Sequence, residues 1–213
     1  GIPSFRLEKD VINAEIDVLR EMGVEFKCGV EVGEDITIAQ LREQGYKAFY
    51  IAIGAQGGRM TGVPGEDAVG VETGVDFLRR VNLNEEGVKL SGKTVVIGGG
   101  NVAVDVARTA LRTGSSDVSM FCLESRDIMP AADDEVAEAE EEGIVVNNSW
   151  GPKEILTENG KVTAVVFKKC ISVLDENKRF SPKYDEEELL TVPCDQVLLS
   201  IGQSIKWGAL LEG

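Results

Sequence analysis

The run Thr94-Val95-Val96-Ile97-Gly98-Gly99-Gly100-Asn101-Val102-Ala103-Val104-Asp105 leaves this chain few choices of fold. A β-branched apolar stretch enters three glycines, and a helix-compatible sequence leaves them. Gly98, Gly100 and Ala103 spell G-x-G-x-x-A, and each small residue answers a physical need. Gly98 permits a sharp turn, Gly100 lets the backbone approach a pyrophosphate with no Cβ in the way, and Ala103 lets the helix lie close to the strand. The residues between them, Gly99, Asn101 and Val102, stand at a helix N-terminus, where free N–H groups and a partial positive charge suit an anion.

A second pattern competes for the same stretch. Gly87-Val88-Lys89-Leu90-Ser91-Gly92-Lys93-Thr94 satisfies G-x-x-x-x-G-K-T. A phosphate loop of that type follows a strand and opens a helix, whereas Lys93 and Thr94 here open the strand Val95-Val96-Ile97. The context excludes it. A Y-x-x-x-K pair is absent, and Asn147-Asn148-Ser149 is a chance sequon.

The next strand sharpens the reading. In Val118-Ser119-Met120-Phe121-Cys122-Leu123-Glu124-Ser125-Arg126, the residue ending the strand is Glu124. A carboxylate there accepts hydrogen bonds from ribose hydroxyls and repels a 2′-phosphate, which favours NAD(H) over NADP(H). Arg126 pulls the other way, since it can pair a phosphate, and Ser125 lies between the two. Together these three residues complete the nucleotide-site candidates on this side of the turn.

Periodicity organises the remainder. Leu7, Val11, Ala14, Val18 and Met22 mark an amphipathic helix over residues 7–22. Residues 24–28 alternate like a short strand, residues 38–43 read as a short helix, and residues 48–53 form a continuous apolar strand ending in Gly54-Ala55. A loop at Gly62-Val63-Pro64-Gly65 precedes a helix over residues 74–81. Strands over 93–97, 118–123 and 144–146 alternate with helices over 101–112 and 133–142, which is a mononucleotide-binding unit. Asn159-Gly160 between apolar stretches marks a hairpin. The polar residues 175–188 read as a loop or mobile hairpin tip, and residues 196–201 form a last apolar strand closed by Gly202-Gln203.

Composition sets outer limits. The net charge of −15 argues against a nucleic-acid partner, which needs clustered Lys and Arg. Seven acids between Asp133 and Glu142 read as a solvated helix face. No apolar run approaches the roughly 20 residues of a membrane helix. Cys28, Cys122, Cys170 and Cys194 are dispersed, so no dithiol or clustered zinc motif exists; Cys122 and Cys194 fit buried thiols of a reducing cytoplasm. The absence of histidine removes a Ser–His triad. No catalytic side chain and no metal ligand emerges.

Taken together the motifs are specific. Gly1-Ile2-Pro3-Ser4-Phe5-Arg6-Leu7, Gly23-Val24-Glu25-Phe26, Ala52-Ile53-Gly54-Ala55, the glycine turn through Asp105, Met129-Pro130-Ala131 and Ser200-Ile201-Gly202-Gln203 resemble the small (β) subunit of NADPH-dependent glutamate synthase and its relatives. These are flavin-linked pyridine nucleotide oxidoreductases with two dinucleotide-binding domains. The resemblance implies an α/β fold: a Rossmann-like NAD(P)-binding domain, parallel sheet plus β-meander, set inside a FAD-binding domain.

It also implies a domain plan. Residues 1–75 would be a partial FAD-domain segment, 76–193 the NAD(P)-binding domain and 194–213 the return into the FAD domain. The start lacks an initiator Met and the first flavin fingerprint, so the expectation is an internal piece of a longer flavoprotein, with FAD held by the parent rather than by this chain. Gly54, Ala55, Gly202 and Gln203 would line the junction of nicotinamide and flavin. Electrons would pass to an iron–sulfur partner or subunit. The chain departs from the resemblance at Leu123-Glu124, where NADPH-using members carry paired arginines. The competing expectation is an NAD(H)-binding sensor or scaffold without redox turnover.

Overall fold

The computed structural model describes residues 1–83 and 87–212. Residues 84–86 and 213, inside the expected segments 76–193 and 194–213, lie outside the described residues. Two compact units are present. One comprises Gly1–Pro3 with Gly58–Gln203, the other Ser4–Gly57 with Ser204–Gly213.

The smaller unit carries helices α1 (Lys9–Glu21) and α2 (Ile38–Glu43), and neither buries a residue. The apolar stripe of α1 is real in the sequence, yet Val11, Val18 and Leu19 remain exposed. A capping box starts α2. The Thr37 hydroxyl accepts from the Gln40 N–H at 3.1 Å, and the Gln40 side-chain oxygen accepts from the Thr37 N–H at 2.9 Å.

Residues 24–28 and 48–53, expected as strands, form none. A strand needs a neighbour to pair its N–H and C=O groups, and the described residues of this unit offer no partner strand. Phe26, Phe49 and Ile51 are left exposed and Tyr50 is 94% exposed. The chain leaves this unit through the two-residue strand β1 (Gly57–Gly58).

The larger unit is built on the glycine turn's own strand. Strands β2 (Val71–Thr73) and β3 (Lys93–Ile97) flank the sequence of helix α3 (Gly74–Asn82). Helix α4 (Asn101–Arg112), β4 (Asp117–Phe121), α5 (Asp133–Glu141) and β5 (Val145–Asn147) follow. A meander of β6 (Trp150–Glu158), β7 (Lys161–Leu174) and β8 (Phe180–Pro193) leads to β9 (Gln196–Leu199) and the short β10 (Gln203–Ser204). The strands β2-β9-β3-β4-β5 make one parallel sheet, and β6-β7-β8 an antiparallel one.

The side-chain period of two divides β3 between two cores. Val96 points to the helix side with Val104, Val106, Met120 and Leu198. Val95 and Ile97 point to the meander side with Phe121, Phe167 and Leu199. Phe121 of the sheet stacks on Phe167 of β7 with ring centroids 4.1 Å apart. Cover on both faces explains why β3 and β9 read as unbroken apolar runs. Register aligns Thr73, Leu199, Ile97, Phe121 and Asn147 along one carboxyl edge.

Two other expectations change. Residues 175–188 are mostly strand, and only residues 175–179 turn. Their acidity hid an edge strand, in which Pro182, Tyr184 and Asp185 are half-buried while Ser181, Lys183 and the three glutamates Glu186, Glu187 and Glu188 are exposed. The acidic helix α5 is also not merely solvated. Arg108 of α4, 9% exposed, donates to Glu142 at 2.6 Å and also pairs Glu138, and Arg112 pairs Glu142 as well.

These guanidinium hydrogen bonds, from Arg112 first and Arg108 next, hold the Glu142 carboxyl down at about 2. A depressed carboxyl contributes stability that is fully present above its unfolded value of about 4.5 and is lost as pH falls toward 2. Glu142→Gln is expected to cost about 1–2 kcal/mol at neutral pH, after allowing for solvent screening of a partly exposed network. It should also flatten the loss of stability between pH 5 and 2 relative to the parent, read by thermal melts across pH.

Candidate functional site

A cavity of 680 Å³ opens at the carboxyl edge of the parallel sheet, within the larger unit. That is where ligands of open α/β sheets bind. Its floor is the glycine turn. The Gly98 N–H donates to the Phe121 carbonyl at 2.8 Å, and its φ of +147° suits glycine. A Cβ on Gly98 would overlap the Ser200 carbonyl. A Cβ on Gly99 would lie 2.9 Å from both Cys122 Cβ and Glu124 Oε2.

Gly100 differs from both. It is the N-cap of α4 with ordinary extended geometry, no side chain caps the helix, and a Cβ there would meet nothing within 4 Å. The helix N-terminus therefore faces open cavity space, which suits an anion. Asn101 and Val102 line the cavity. The Asn101 side chain is already engaged: its oxygen accepts from the Ala132 N–H at 2.8 Å and its amide donates to Glu135 at 3.4 Å. What Asn101 can offer a ligand is thus its main chain. Ala103 is fully buried against the sheet and does not line the cavity.

Glu124 lies at the cavity beside Gly99. It lies in the bend three residues past β4, where the sequence placed it at the strand's end; its carbonyl accepts from Ser149 N–H at 3.0 Å and Asn148 Nδ2 at 3.2 Å, which fixes that bend. Cys122 beneath it is 3% exposed. Burial first, and the nearby Glu124 charge second, push its thiol up to about 11. It is a packing group at neutral pH and no nucleophile.

Ser125 caps a 3₁₀ turn (Arg126–Ile128), and its hydroxyl hydrogen-bonds Asp127 and lowers that carboxyl. Arg126 leans toward Asp133 at 3.8 Å. Neither Ser125 nor Arg126 is among the cavity-lining residues. At the opposite end Gly202 and Gln203 line the cavity, and the Gly202 carbonyl accepts from the Arg59 N–H at 3.1 Å. Gly54 and Ala55 belong to the smaller unit and do not line this cavity.

The cavity also recruits residues that sequence reasoning passed over: Arg59 and Thr61 from the segment before β2, Trp150 at the start of β6, and Phe180, Pro182 and Tyr184 from β8. Only the alternation along β8 carried a signal for any of these. Among the described residues no cluster of His, Cys, Asp or Glu could hold a metal ion.

A family model for pyridine nucleotide-disulphide oxidoreductases matches residues 34–209. The chain belongs to that family. Within the pyridine nucleotide-disulphide oxidoreductases it is 37% identical over 211 residues to the NADP(+)-dependent formate dehydrogenase subunit beta of Moorella thermoacetica, covering 96% of this chain and 29% of that protein. It is 36% identical to the glutamate synthase [NADPH] small chain of Halomonas elongata, covering 95% of this chain and 44% of the relative. That agrees with the resemblance read from the motifs.

A third relative, the NAD-dependent dihydropyrimidine dehydrogenase subunit PreT of Escherichia coli K12, is 33% identical over all of this chain and 46% of its own length. The chain thus spans less than half of each of these relatives. Mycobacterium tuberculosis FprA in complex with NADPH shares the fold, with a TM-score of 0.79 at 23% identity over 95% of this chain and 60% of that one. No helix among the described residues is long and apolar enough to cross a membrane.

Proposed function

We propose that this chain is the nicotinamide-dinucleotide-binding part of an oxidoreductase that moves hydride between NAD(P)H and FAD and passes electrons on to an iron–sulfur partner. The observation that carries the proposal is the uncapped N-terminus of α4 behind Gly100, open to a cavity with Glu124 in the bend that follows the neighbouring strand β4. When bound, the nicotinamide supplies the hydride. The chain's own residues bind and orient it, and no nucleophile or general base is required.

In this reading Gly98 to Ala103 seat the pyrophosphate: Gly100 gives access, the first N–H groups of α4 donate, and buried Ala103 sets the helix against β3. Glu124 accepts from the adenosine ribose. Gly202 and Gln203 stand at the nicotinamide end of the cavity, and Gly54 and Ala55 belong to the proposed flavin-domain segment 1–75. The domain plan of residues 1–75, 76–193 and 194–213 belongs to the same proposal. We place FAD on the longer protein, in line with the greater length of the relatives, and derive no step through it. Three buried free thiols support a reducing, cytoplasmic setting.

The relatives' names divide between NADPH and NAD. Local chemistry favours NAD(H), because a 2′-phosphate would be brought against the Glu124 carboxylate. Exchanging a repulsive charge for a charge-assisted hydrogen bond is worth about 1.5–3 kcal/mol, or roughly 10- to 100-fold. Glu124→Arg is expected to shift the NADPH/NADH affinity ratio toward NADPH by about 30-fold, measured by titration calorimetry. An unchanged ratio would remove Glu124 from the ribose site.

A further inference from the structure

We infer that strand β8 supplies the wall against which the adenine of the dinucleotide stacks, with Phe180 as the stacking ring. The inference rests on the dinucleotide reading above and adds an adenine contact to it.

Strand β8 carries Phe180, Pro182 and Tyr184, and its register against β7 shifts twice between Tyr184 and Phe180. All three line the cavity. Tyr184 is placed within it by backbone hydrogen bonds. Ser149 N–H donates to the Glu124 carbonyl at 3.0 Å, and Cys170 N–H donates to the Ser149 carbonyl at 2.8 Å. Cys170 lies directly opposite Tyr184 in the β7–β8 register. Two hydrogen bonds and one strand pairing therefore lead from the Glu124 carbonyl to Tyr184.

Side chains give the same location. A Cβ on Gly151 would sit 2.6 Å from the Tyr184 ring and 2.8 Å from Leu123 Cδ2. The tyrosine therefore crosses Gly151 beside the residue that precedes Glu124. Its ring is further held by Lys168, whose Nζ lies 4.1 Å from the ring centroid. Tyr184 thus stands beside the residue before Glu124, and Pro182 and Phe180 of the same strand line the cavity with it.

With the pyrophosphate at Gly100 and the ribose at Glu124, the next group outward is the base. Adenine has two flat apolar faces, and such bases stack on aromatic rings. Phe180 is 67% exposed while lining the cavity, so its ring surface is available to a ligand. Pro182 and Tyr184 are already half-buried and serve as the backing.

The test is titration of the protein with NADH and with ADP-ribose, which carries the adenosine half and no nicotinamide. Phe180→Ala is expected to weaken both by a common factor of about 10. Phe180→Trp should retain affinity for both and Phe180→Leu should lose it, since stacking requires an aromatic face. Because the side chain is exposed, the melting temperature serves as the folding control and should not move. Unchanged affinities in Phe180→Ala, a loss for NADH alone, or full rescue by Leu would each overturn the stacking role. If the parent protein binds neither NADH nor ADP-ribose, the dinucleotide reading fails and takes this inference with it. Binding by the parent with no effect at Phe180 removes this inference alone.

Discussion

Gly100→Val is expected to abolish dinucleotide binding while leaving the protein folded. The backbone at Gly100 has φ −95° and ψ 172°, which any residue adopts, and a Cβ there meets nothing within 4 Å. The structural cost is that of a poor N-cap, about 1 kcal/mol, or a drop of about 2–4 °C in melting temperature. The added methyl groups would occupy the space in front of the α4 N-terminus. A pyrophosphate held away from those N–H groups loses two or more charge-assisted hydrogen bonds, a loss in affinity of at least about 100-fold. Calorimetry and a thermal melt of the same preparation read both effects.

Gly98→Ala should do the opposite, acting on the fold first. Its φ of +147° is strained for any L side chain, and the new Cβ would overlap the Ser200 carbonyl, where β9 runs beside β3. Backbone strain and overpacking together are worth about 3 kcal/mol. That corresponds to about 6–12 °C in melting temperature for a unit of this size. A melt within about 2 °C of the parent would mean that the turn tolerates a Cβ and that packing does not require glycine there. The adjacent glycines thus separate two functions, close chain packing at Gly98 and ligand access at Gly100, that a single motif merges.

What the sequence made legible follows from where the information is local. The strand, glycine turn and helix from Lys93 to Arg112 appear as read, because apolar period, small residues and helix entry all point the same way. The apolar residues 48–53 misled because pattern reports burial potential, whereas strand formation needs a partner, and the described residues of that unit provide none. Residues 175–188 misled in the other direction. Exposed glutamates on an edge strand looked like loop, although Pro182 and Tyr184 of that strand are half-buried. Within the site, Glu124 was reachable because its place just past a strand is fixed by spacing from the turn. Arg59 and Phe180 were not, since each reaches the cavity through tertiary folding of a distant segment.

Titration calorimetry of the protein with NADH and NADPH, repeated on Gly100→Val, tests dinucleotide binding at the glycine turn. Saturable one-site binding of NADH is expected, tighter than that of NADPH, with a dissociation constant between about 1 μM and 1 mM and with its loss in the variant. Absence of saturable binding of either dinucleotide at concentrations of about 5 mM, or parent-like binding by Gly100→Val, would contradict dinucleotide binding at that turn.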